Sequence, residues 1–160
     1  MDISGLNPTE LLVLHAQIAE ELRSRGITRT SNNPTGDFAE YLFCKAFGWK
    51  QECNSSAHID AIGSDGLRYQ IKARRITRHN NSRQMSAIRN LVDDHFDFLA
   101  GVLFTEDYKI YRAAIIPRVV VVDRSKYVTH TNSHRFLLHD DIWDAPNVQD
   151  VTKELSLVVI

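Results

Sequence analysis

An acid, an amide and an ammonium group occur on two adjacent segments of the chain. Asp60 is followed ten residues later by Gln70-Ile71-Lys72, and the Gly63-Ser64-Asp65-Gly66 segment between them has strong turn chemistry. A loop of residues 64–66, with its glycine in the left-handed conformation, would set Asp60 opposite Gln70. Because side chains alternate along a strand, Gln70 and Lys72 would share one face. This grouping predicts metal-assisted cleavage of phosphodiesters.

The reaction itself explains why these residue types are needed. Phosphodiester hydrolysis requires a nucleophilic water, neutralisation of charge on the phosphoryl oxygens and help for the leaving alkoxide, and a divalent ion can supply all three. Mg²⁺ prefers oxygen ligands and needs only one or two carboxylates, so Asp60 with a second acid is sufficient. Gln70 would add a neutral carbonyl oxygen, and Lys72 would hold the attacking water or stabilise charge on the phosphate. We expect Mg²⁺ as the cofactor, with Mn²⁺ able to substitute.

A second carboxylate is needed because an amide at position 70 carries no charge. Glu40 is the best-placed candidate, since it falls at the border of the buried arc of a predicted helix over residues 34–47. A carboxylate at this border can point toward the sheet, whereas Asp37 is turned further into the polar sector. Glu40 is therefore predicted as a metal ligand with Asp60 and Gln70. A helix-surface or structural salt-bridge role is the alternative.

Positive charge is concentrated after this site, although the formal net charge of the chain is −1. Between Gly66 and Val92 there is no Asp or Glu, so a nucleic acid would be held by a local patch rather than by the whole surface. The candidate nucleic-acid contacts are Ser55, Arg68, Arg74, Arg75, Arg78, His79 and Arg83. A solvated surface is the alternative for the basic block, and ordinary loop chemistry is the alternative for Ser55 and His79.

The elements predicted around these residues alternate between helices and strands. Strands are expected over about 49–53, 57–62 and 67–74, forming an antiparallel meander, and over about 98–104, 109–116 and 135–138. Helices are expected over about 8–25, 34–47, 84–94, 119–122 and 148–155. The 119–122 run has strand propensity as well, so a strand is its alternative.

Length and composition are typical of one globular domain covering residues 1–160. Its expected parts are an N-terminal helix (about 8–25), a core (about 34–117) and a C-terminal strand and helix (about 118–160). No apolar run is long enough to span a bilayer, and no basic region precedes a hydrophobic segment near residue 1, so a cytoplasmic protein without a membrane partner is expected. Cys44 and Cys53 sit in no zinc-binding pattern.

The order of helix, three-strand meander, helix and strand, together with the motif residues, resembles the PD-(D/E)XK nuclease superfamily. The similarity is greatest to its Holliday-junction-resolvase and Mrr-type restriction branches, which carry a helix glutamate before the meander. It covers about residues 34–104. Ile59 stands where a proline is commonest, and Gln70 replaces the central acid, although some branches also have glutamine there. The matching segments are Gly36-Asp37-Phe38-Ala39-Glu40, Gly48-Trp49, Ser55, Ile59-Asp60 and Gln70-Ile71-Lys72.

The resemblance implies an α/β, restriction-endonuclease-like core: a central mixed sheet of about five strands, including the meander, flanked by helices. It also implies a metal-dependent endonuclease that acts on DNA in restriction, defence or DNA processing, with Asp60, Gln70, Lys72 and Glu40 as catalytic residues. Cutting both strands of a duplex usually calls for two active sites, so a homodimer is expected. Two alternatives stay open: a ribonuclease, and a nucleic-acid-binding or assembly subunit that cleaves weakly, which Gln70 favours. The chain contains no GxSxG, GxxxxGK[ST] or GxGxxG motif that would support another reaction class.

Overall fold

The computed structural model describes residues 2–53 and 59–160. Ser55, one of the predicted phosphate contacts, and the first part of the predicted 57–62 strand lie outside the described residues. Within these ranges the α-helices are α1 (Pro8–Ser24), α2 (Pro34–Phe47), α3 (Arg118–Arg124) and α4 (Thr152–Ser156). The strands are β1 (Lys50–Gln51), β2 (Ala61–Ile62), β3 (Arg68–Arg75), β4 (Phe98–Phe104), β5 (Ile110–Pro117), β6 (Lys126–Val128), β7 (Ser133–Arg135) and β8 (Gln149–Asp150).

Local capping signals define the first two helices, as predicted. The Asn7 side chain accepts a hydrogen bond from the Glu10 backbone, and the Glu10 side chain accepts one from the Asn7 backbone, so α1 begins with a capping box. Asn33 caps α2, and Gly48, in the left-handed conformation, ends it. Both helices therefore have the boundaries expected from the sequence to within one residue.

The central sheet is mixed, with the strand order β1-β2-β3-β4-β5-β8. The β1, β2 and β3 strands form the predicted antiparallel meander, and β3 pairs in parallel with β4. The remaining pairs, β4 with β5 and β5 with β8, are antiparallel. The sheet has six strands rather than about five because β8 adds to one edge. The α/β class and the mixed sheet flanked by helices are confirmed.

Apolar side chains pack on both faces of this sheet. On one face, Ala39, Leu42 and Phe43 of α2 pack with Tyr69 and Ile71 of β3. The core on the other face includes residues from α3 and from the irregular segments around 85–91 and 136–142. Strand alternation thus places alternate residues of β3 beneath α2, and the predicted core side of this strand is confirmed.

Three predictions in the second half of the chain are wrong in type or position. Residues 84–94 do not form a helix; they form isolated bridges with residues 134 and 137 and a short 3₁₀ turn, Leu91–Asp93. The expected strand at 135–138 is instead β7, which pairs with β6 in a separate two-stranded sheet. The expected helix at 148–155 begins only at Thr152, because residues 149–150 pair with β5.

The helical assignment of the 119–122 run is confirmed, since it lies within α3. Helix α1 differs from α2, α3 and α4 in having no buried residue, and Leu12 on its surface is 70% exposed. Among the described residues, no helix has the length and apolar character needed to cross a membrane.

Candidate active site

The β2–β3 hairpin determines where Asp60 lies. Ala61 is paired with Tyr69 and Ile62 with Arg68, and the loop of residues 64–66 ends at Gly66, whose φ is 81°. This is the three-residue loop expected from the sequence, and its left-handed position is the reason a glycine is needed there. The register, continued by one residue, sets Asp60 opposite Gln70, and the Asp60 N–H donates to the Tyr69 carbonyl at 2.9 Å.

The Asp60 carboxylate is tied directly to β3. Its Oδ2 accepts a hydrogen bond from the backbone N–H of Ile71, the residue between Gln70 and Lys72, at 2.6 Å. Because backbone N–H groups of a strand point along the plane of the sheet, this bond keeps the carboxylate near that plane. Asp60 can therefore interact with groups on both faces of the sheet at this point.

Lys72 and Glu40 interact with Asp60 from different elements. Lys72 is on β3, on the face opposite Ile71, and the charges of Asp60 and Glu40 both act to raise its pKa. Burial is the larger effect and lowers the pKa of Lys72 overall. Asp60 and Glu40 act on the lysine by charge rather than by a hydrogen bond. The structure thus brings these three predicted residues into one electrostatic group.

The two carboxylates are also shifted by burial. Burial raises the pKa of Asp60, opposed by the hydrogen bond from Ile71 and by the charge of Lys72. Burial likewise raises the pKa of Glu40, which the charge of Asp60 raises further. Each acid is therefore less easily ionised than in water, because burial outweighs the hydrogen bonds and positive charges that favour the ionised form.

Gln70 contributes a buried oxygen that lacks a partner. The residue is only 6% exposed, and its Oε1 has no hydrogen-bond partner among the described residues. An unpaired buried carbonyl costs free energy, and such groups in native structures often mark a site for an ion or a ligand. This oxygen belongs to the residue that pairs opposite Asp60.

Glu40 is on α2 and is held by two neighbours. Its Oε2 accepts hydrogen bonds from the Arg29 guanidinium and, at 2.9 Å, from Nε2 of Gln51 on β1. Its side chain is 17% exposed, so the helix-surface alternative does not describe this residue. The salt-bridge alternative does, since Arg29 and Glu40 form an ion pair.

Arg29 and its support from Asp37 were not predicted from the sequence. Asp37 is 9% exposed, and its Oδ2 accepts from the backbone N–H groups of Arg29 and Thr30 at 2.8 and 2.7 Å. It also accepts from the Thr30 hydroxyl at 2.9 Å. Asp37 therefore faces the 28–30 segment rather than solvent. The only sequence signal was an acid one helical turn before Glu40, which does not identify its partner.

The donor set fits a hard divalent cation. No group of three or more His, Cys, Asp or Glu side chains suited to a metal occurs in the part of the chain that the structure describes. The candidate ligands are instead the carboxylates of Asp60 and Glu40 and the amide oxygen of Gln70. The Gln70 oxygen has no hydrogen-bond partner in the described ranges. All are oxygen ligands, and Mg²⁺ commonly combines one or two protein carboxylates with water. The residues present therefore fit the predicted ion.

The predicted nucleic-acid contacts divide into two groups. Arg74, Arg75, Arg78 and His79 form a basic segment at the end of β3 and in the turn that follows. Arg74 and Arg75 line a cleft of about 370 Å³ together with Asn33 and Thr35 from the start of α2. The Arg75 guanidinium lies 4.9 Å from the Tyr108 ring centroid, and Arg78 is largely exposed. These cationic groups are close to solvent or line an open cleft.

Arg68 and Arg83 are instead engaged in close ion pairs, whereas the exposed Arg78 lies 4.0 Å from a Glu106 oxygen. Arg68 donates to both carboxylate oxygens of Asp97, at 3.1 and 2.9 Å. Arg83 donates to Asp140 at 2.8 Å, and its guanidinium lies 5.4 Å from the Tyr111 ring centroid. The run of arginines without acids in the sequence is thus partly neutralised in space by acids from later segments.

Cys44 lies near the electrostatic group on α2. Burial raises the pKa of its thiol to about 11, with a further contribution from the charge of Glu40. The thiol is therefore neutral at physiological pH, which fits a packed cysteine rather than a reactive one.

Comparisons with protein families and with curated proteins found no match for this chain.

Proposed function

We propose that this protein is a metal-dependent endonuclease that hydrolyses DNA phosphodiester bonds and has a restriction-endonuclease-like fold. The observation that carries the proposal is the buried Oε1 of Gln70, which has no hydrogen-bond partner among the described residues. Gln70 lies opposite Asp60, whose carboxylate accepts a hydrogen bond from the next residue of β3. A buried oxygen without a described partner, on the residue opposite an acid whose pKa burial raises, is typical of a functional site rather than of a stabilising one.

The proposed roles follow from where each side chain is held. Asp60, Gln70 and Glu40 would hold Mg²⁺, and Mn²⁺ would substitute because it also takes oxygen ligands. When bound, the ion supplies charge neutralisation at the phosphate and activation of water. Asp60 is pre-positioned by its bond to Ile71, so the carboxylate needs little rearrangement to act as a ligand.

Lys72 is the proposed group that positions the attacking water and stabilises developing charge on the phosphate. Burial lowers the pKa of its ammonium, while Asp60 and Glu40 favour the charged form. A buried ammonium near two acids is a compact point charge in a region of low dielectric, where its effect on a transition state is large.

DNA is the proposed substrate, with the basic segment as the surface that contacts its backbone. Arg74 and Arg75 follow Lys72 on β3, and their cleft also includes Asn33 and Thr35 at the start of α2. Arginine and polar side chains of this kind position phosphates without reading bases. Restriction, defence or DNA processing is the proposed setting because of the branches that the motif residues resemble, and a ribonuclease is the alternative for the same chemistry.

A different observation favours a second candidate, a nucleic-acid-binding or assembly subunit that cleaves weakly. The amide of Gln70 adds no negative charge, and Arg29 already pairs with Glu40, so the two acids and the cations Arg29 and Lys72 formally cancel. A site without net negative charge attracts a divalent cation less strongly.

Conversion of supercoiled plasmid to nicked and linear forms, with Mg²⁺ or with chelator, separates the two candidates. We expect nicking that requires the metal and disappears in Asp60→Ala and Lys72→Ala, while DNA binding by both variants persists. DNA binding without cleavage in Mg²⁺ and in Mn²⁺ would support the second candidate. Competition by RNA, single strands and branched DNA at a stated salt concentration identifies the substrate.

The proposal includes a homodimer, since cutting both strands of a duplex usually calls for two sites. Sedimentation with and without a short duplex tests this part separately. A monomer in both conditions would restrict the proposal to single-strand nicking.

A further inference from the structure

A guanidinium is bound to one of the proposed metal ligands. The Arg29 side chain, 28% exposed, forms an ion pair with Glu40, and its Nη1 donates to the backbone carbonyl of Glu52 at 2.7 Å. Its positive charge also acts on Asp60, where it opposes part of the rise in pKa that burial causes. Arg29 therefore neutralises part of the negative charge on which a bound cation would depend.

The backbone of Arg29 is fixed by the same helix that carries Glu40. Asp37 lies one helical turn before Glu40 on α2 and accepts from the Arg29 N–H at 2.8 Å. Two further bonds from Thr30 to the Asp37 carboxylate hold the adjoining residue. The guanidinium is thus directed at Glu40 by a built anchor and is not a freely moving surface group.

The pairing is incomplete for Arg29. Its Nε is buried and has no hydrogen-bond partner among the described residues, although both terminal nitrogens are bonded, Nη2 to the Glu40 carboxylate and Nη1 to the Glu52 carbonyl. A stabilising ion pair normally satisfies all of its buried donors, because an unpaired buried donor costs free energy. The arrangement is therefore better explained by the charge it places at Glu40 than by stability alone.

We propose that Arg29 is a positioning residue whose guanidinium binds the Glu40 carboxylate where a divalent metal would otherwise bind. The guanidinium and the metal therefore compete for this carboxylate. The inference rests on the proposed function, since it requires the metal site at Glu40, Asp60 and Gln70. In this arrangement Arg29 limits metal affinity. With a metal bound at Glu40, the Arg29 guanidinium would leave this carboxylate, and its planar donors would suit a phosphate oxygen of the substrate.

The test is calorimetric titration of the full chain with Mn²⁺ at neutral pH. In Arg29→Met the guanidinium is absent and Glu40 keeps its hydrogen bond from Gln51 but loses its ion pair, so we expect Mn²⁺ to bind about tenfold more tightly than to the unchanged protein. Arg29→Lys retains a charge at this position and is expected to bind within about threefold of the unchanged protein. Equal or weaker binding by Arg29→Met would overturn the inference.

Arg112→Met is the matched control. Arg112 is 27% exposed and pairs with Asp140 at 2.8 Å, so its replacement removes a similar ion pair outside the candidate site. We expect its Mn²⁺ affinity to be unchanged, and a gain equal to that of Arg29→Met would show a general charge effect and overturn the inference. Asp60→Asn separates the proposed metal site from the proposed role of Arg29. If this variant binds Mn²⁺ as tightly as the unchanged protein, the metal site itself is wrong. If it binds Mn²⁺ more weakly while Arg29→Met has no effect, only the role of Arg29 fails.

A second measurement uses the unchanged protein and does not depend on how a variant folds. During titration with Mg²⁺, the side-chain NεH resonance of Arg29 should shift in step with saturation, while that of Arg112 stays in place. A resonance of Arg29 that does not move at saturating Mg²⁺ would contradict release of the guanidinium.

Discussion

Two groups of charged residues on β3 and its neighbours differ in how their charges are balanced. At the start of β3, Arg68 pairs with Asp97 at 2.9 Å, and Arg118 pairs with Asp94 at 2.9 Å. The hydrogen bonds from Arg68 lower the pKa of Asp97, and those to Asp97 raise the pKa of Arg68. In the candidate site the directions are reversed, since burial raises the pKa of Asp60 and lowers that of Lys72.

The difference shows which effect dominates in each region. In the Arg68 group, direct hydrogen bonds to opposite charges exceed the cost of desolvation, so the charged forms are favoured. In the candidate site, desolvation exceeds the attraction between Asp60 and Lys72, and for Glu40 it exceeds even the direct bond from Arg29, so the charged forms are disfavoured. The first arrangement supports the fold, whereas the second is the arrangement that we expect of the proposed cation site.

The largest expected effect is on cleavage, and it should separate the two regions. Asp60→Asn removes a charged ligand while keeping the size of the side chain, so we expect DNA cleavage to fall at least about a hundredfold. Asp97→Asn breaks ion pairs of the other group, and its cleavage should stay within about twofold of the unchanged protein. Initial rates on plasmid DNA measure both. Equal losses in the two variants would mean that the regions do not differ in function.

A smaller effect is expected when the missing charge is restored. Gln70→Glu gives the buried position a carboxylate, so Mg²⁺ should bind about tenfold more tightly, while the metal-free protein becomes less stable because another buried acid must be ionised. Gln70→Met keeps similar size without the oxygen and should weaken metal binding. Titration calorimetry and thermal unfolding measure these changes. A fall in Mg²⁺ affinity for Gln70→Glu would contradict the place of this residue in the metal site.

Stability at neutral pH should change in opposite directions in the two regions. Asp60→Asn removes a buried charge whose pKa is raised, so the free energy of unfolding should increase by about 1 kcal/mol. Asp97→Asn removes charged hydrogen bonds from Arg68 and should lower the free energy of unfolding by about 1–3 kcal/mol. Urea unfolding of both variants tests this pair. A loss of stability in Asp60→Asn would contradict the assignment of Asp60 to the functional region.

The pH dependence of these stability changes has a definite sign. Because the folded-state pKa of Asp60 is raised, the native state binds this proton more tightly than the unfolded chain, and stability decreases as pH rises from the ordinary aspartate pKa through the raised one. The advantage of Asp60→Asn should therefore vanish in acid. The pKa of Asp97 is lowered, so its contribution is present above the ordinary aspartate pKa and is lost as pH falls through the lowered one. Unfolding measured across this pH range tests both signs.

The smallest expected effect concerns the basic segment. Arg75→Ala should reduce the slope of log affinity against log salt by about one, because a single phosphate contact is lost, without changing sequence preference. Arg83→Ala should leave this slope nearly unchanged, since Arg83 is already paired with Asp140. Fluorescence anisotropy with one duplex over a salt series measures the slopes. Equal slopes for Arg75→Ala and the unchanged protein would remove Arg75 from the DNA surface.

The features predicted correctly from the sequence depend on local signals. The Asn7 cap and the Gly66 turn are determined by neighbouring residues. The Gly66 turn fixes the hairpin register, which sets Asp60 opposite Gln70. The segment at 84–94 was misassigned because apolar residues recur at helical spacing, whereas the backbone of Met85 and Ile88 bonds to residues 136 and 134. These partners lie about fifty positions away in the chain, and no local pattern reports them.

The candidate site was predictable to a similar extent. Lys72 and Asp60 are brought together by one hairpin, and the place of Asp60 opposite Gln70 could be deduced from its loop. The Arg29 contact with Glu40, and the role of Asp37 in fixing it, depend on a loop folding back on α2. The neutralisation of Arg68 and Arg83 by later acids likewise depends on the tertiary fold.

Paramagnetic broadening by Mn²⁺ tests most directly whether Glu40, Asp60 and Gln70 form one cation site. At substoichiometric Mn²⁺, the side-chain amide of Gln70 and the backbone amide of Ile71 should broaden first, and Asp60→Asn should abolish the effect. Resonances around Asp97 should remain sharp at the same Mn²⁺ concentration. Broadening that begins around Asp94 and Asp97, or that persists in Asp60→Asn, would contradict the account.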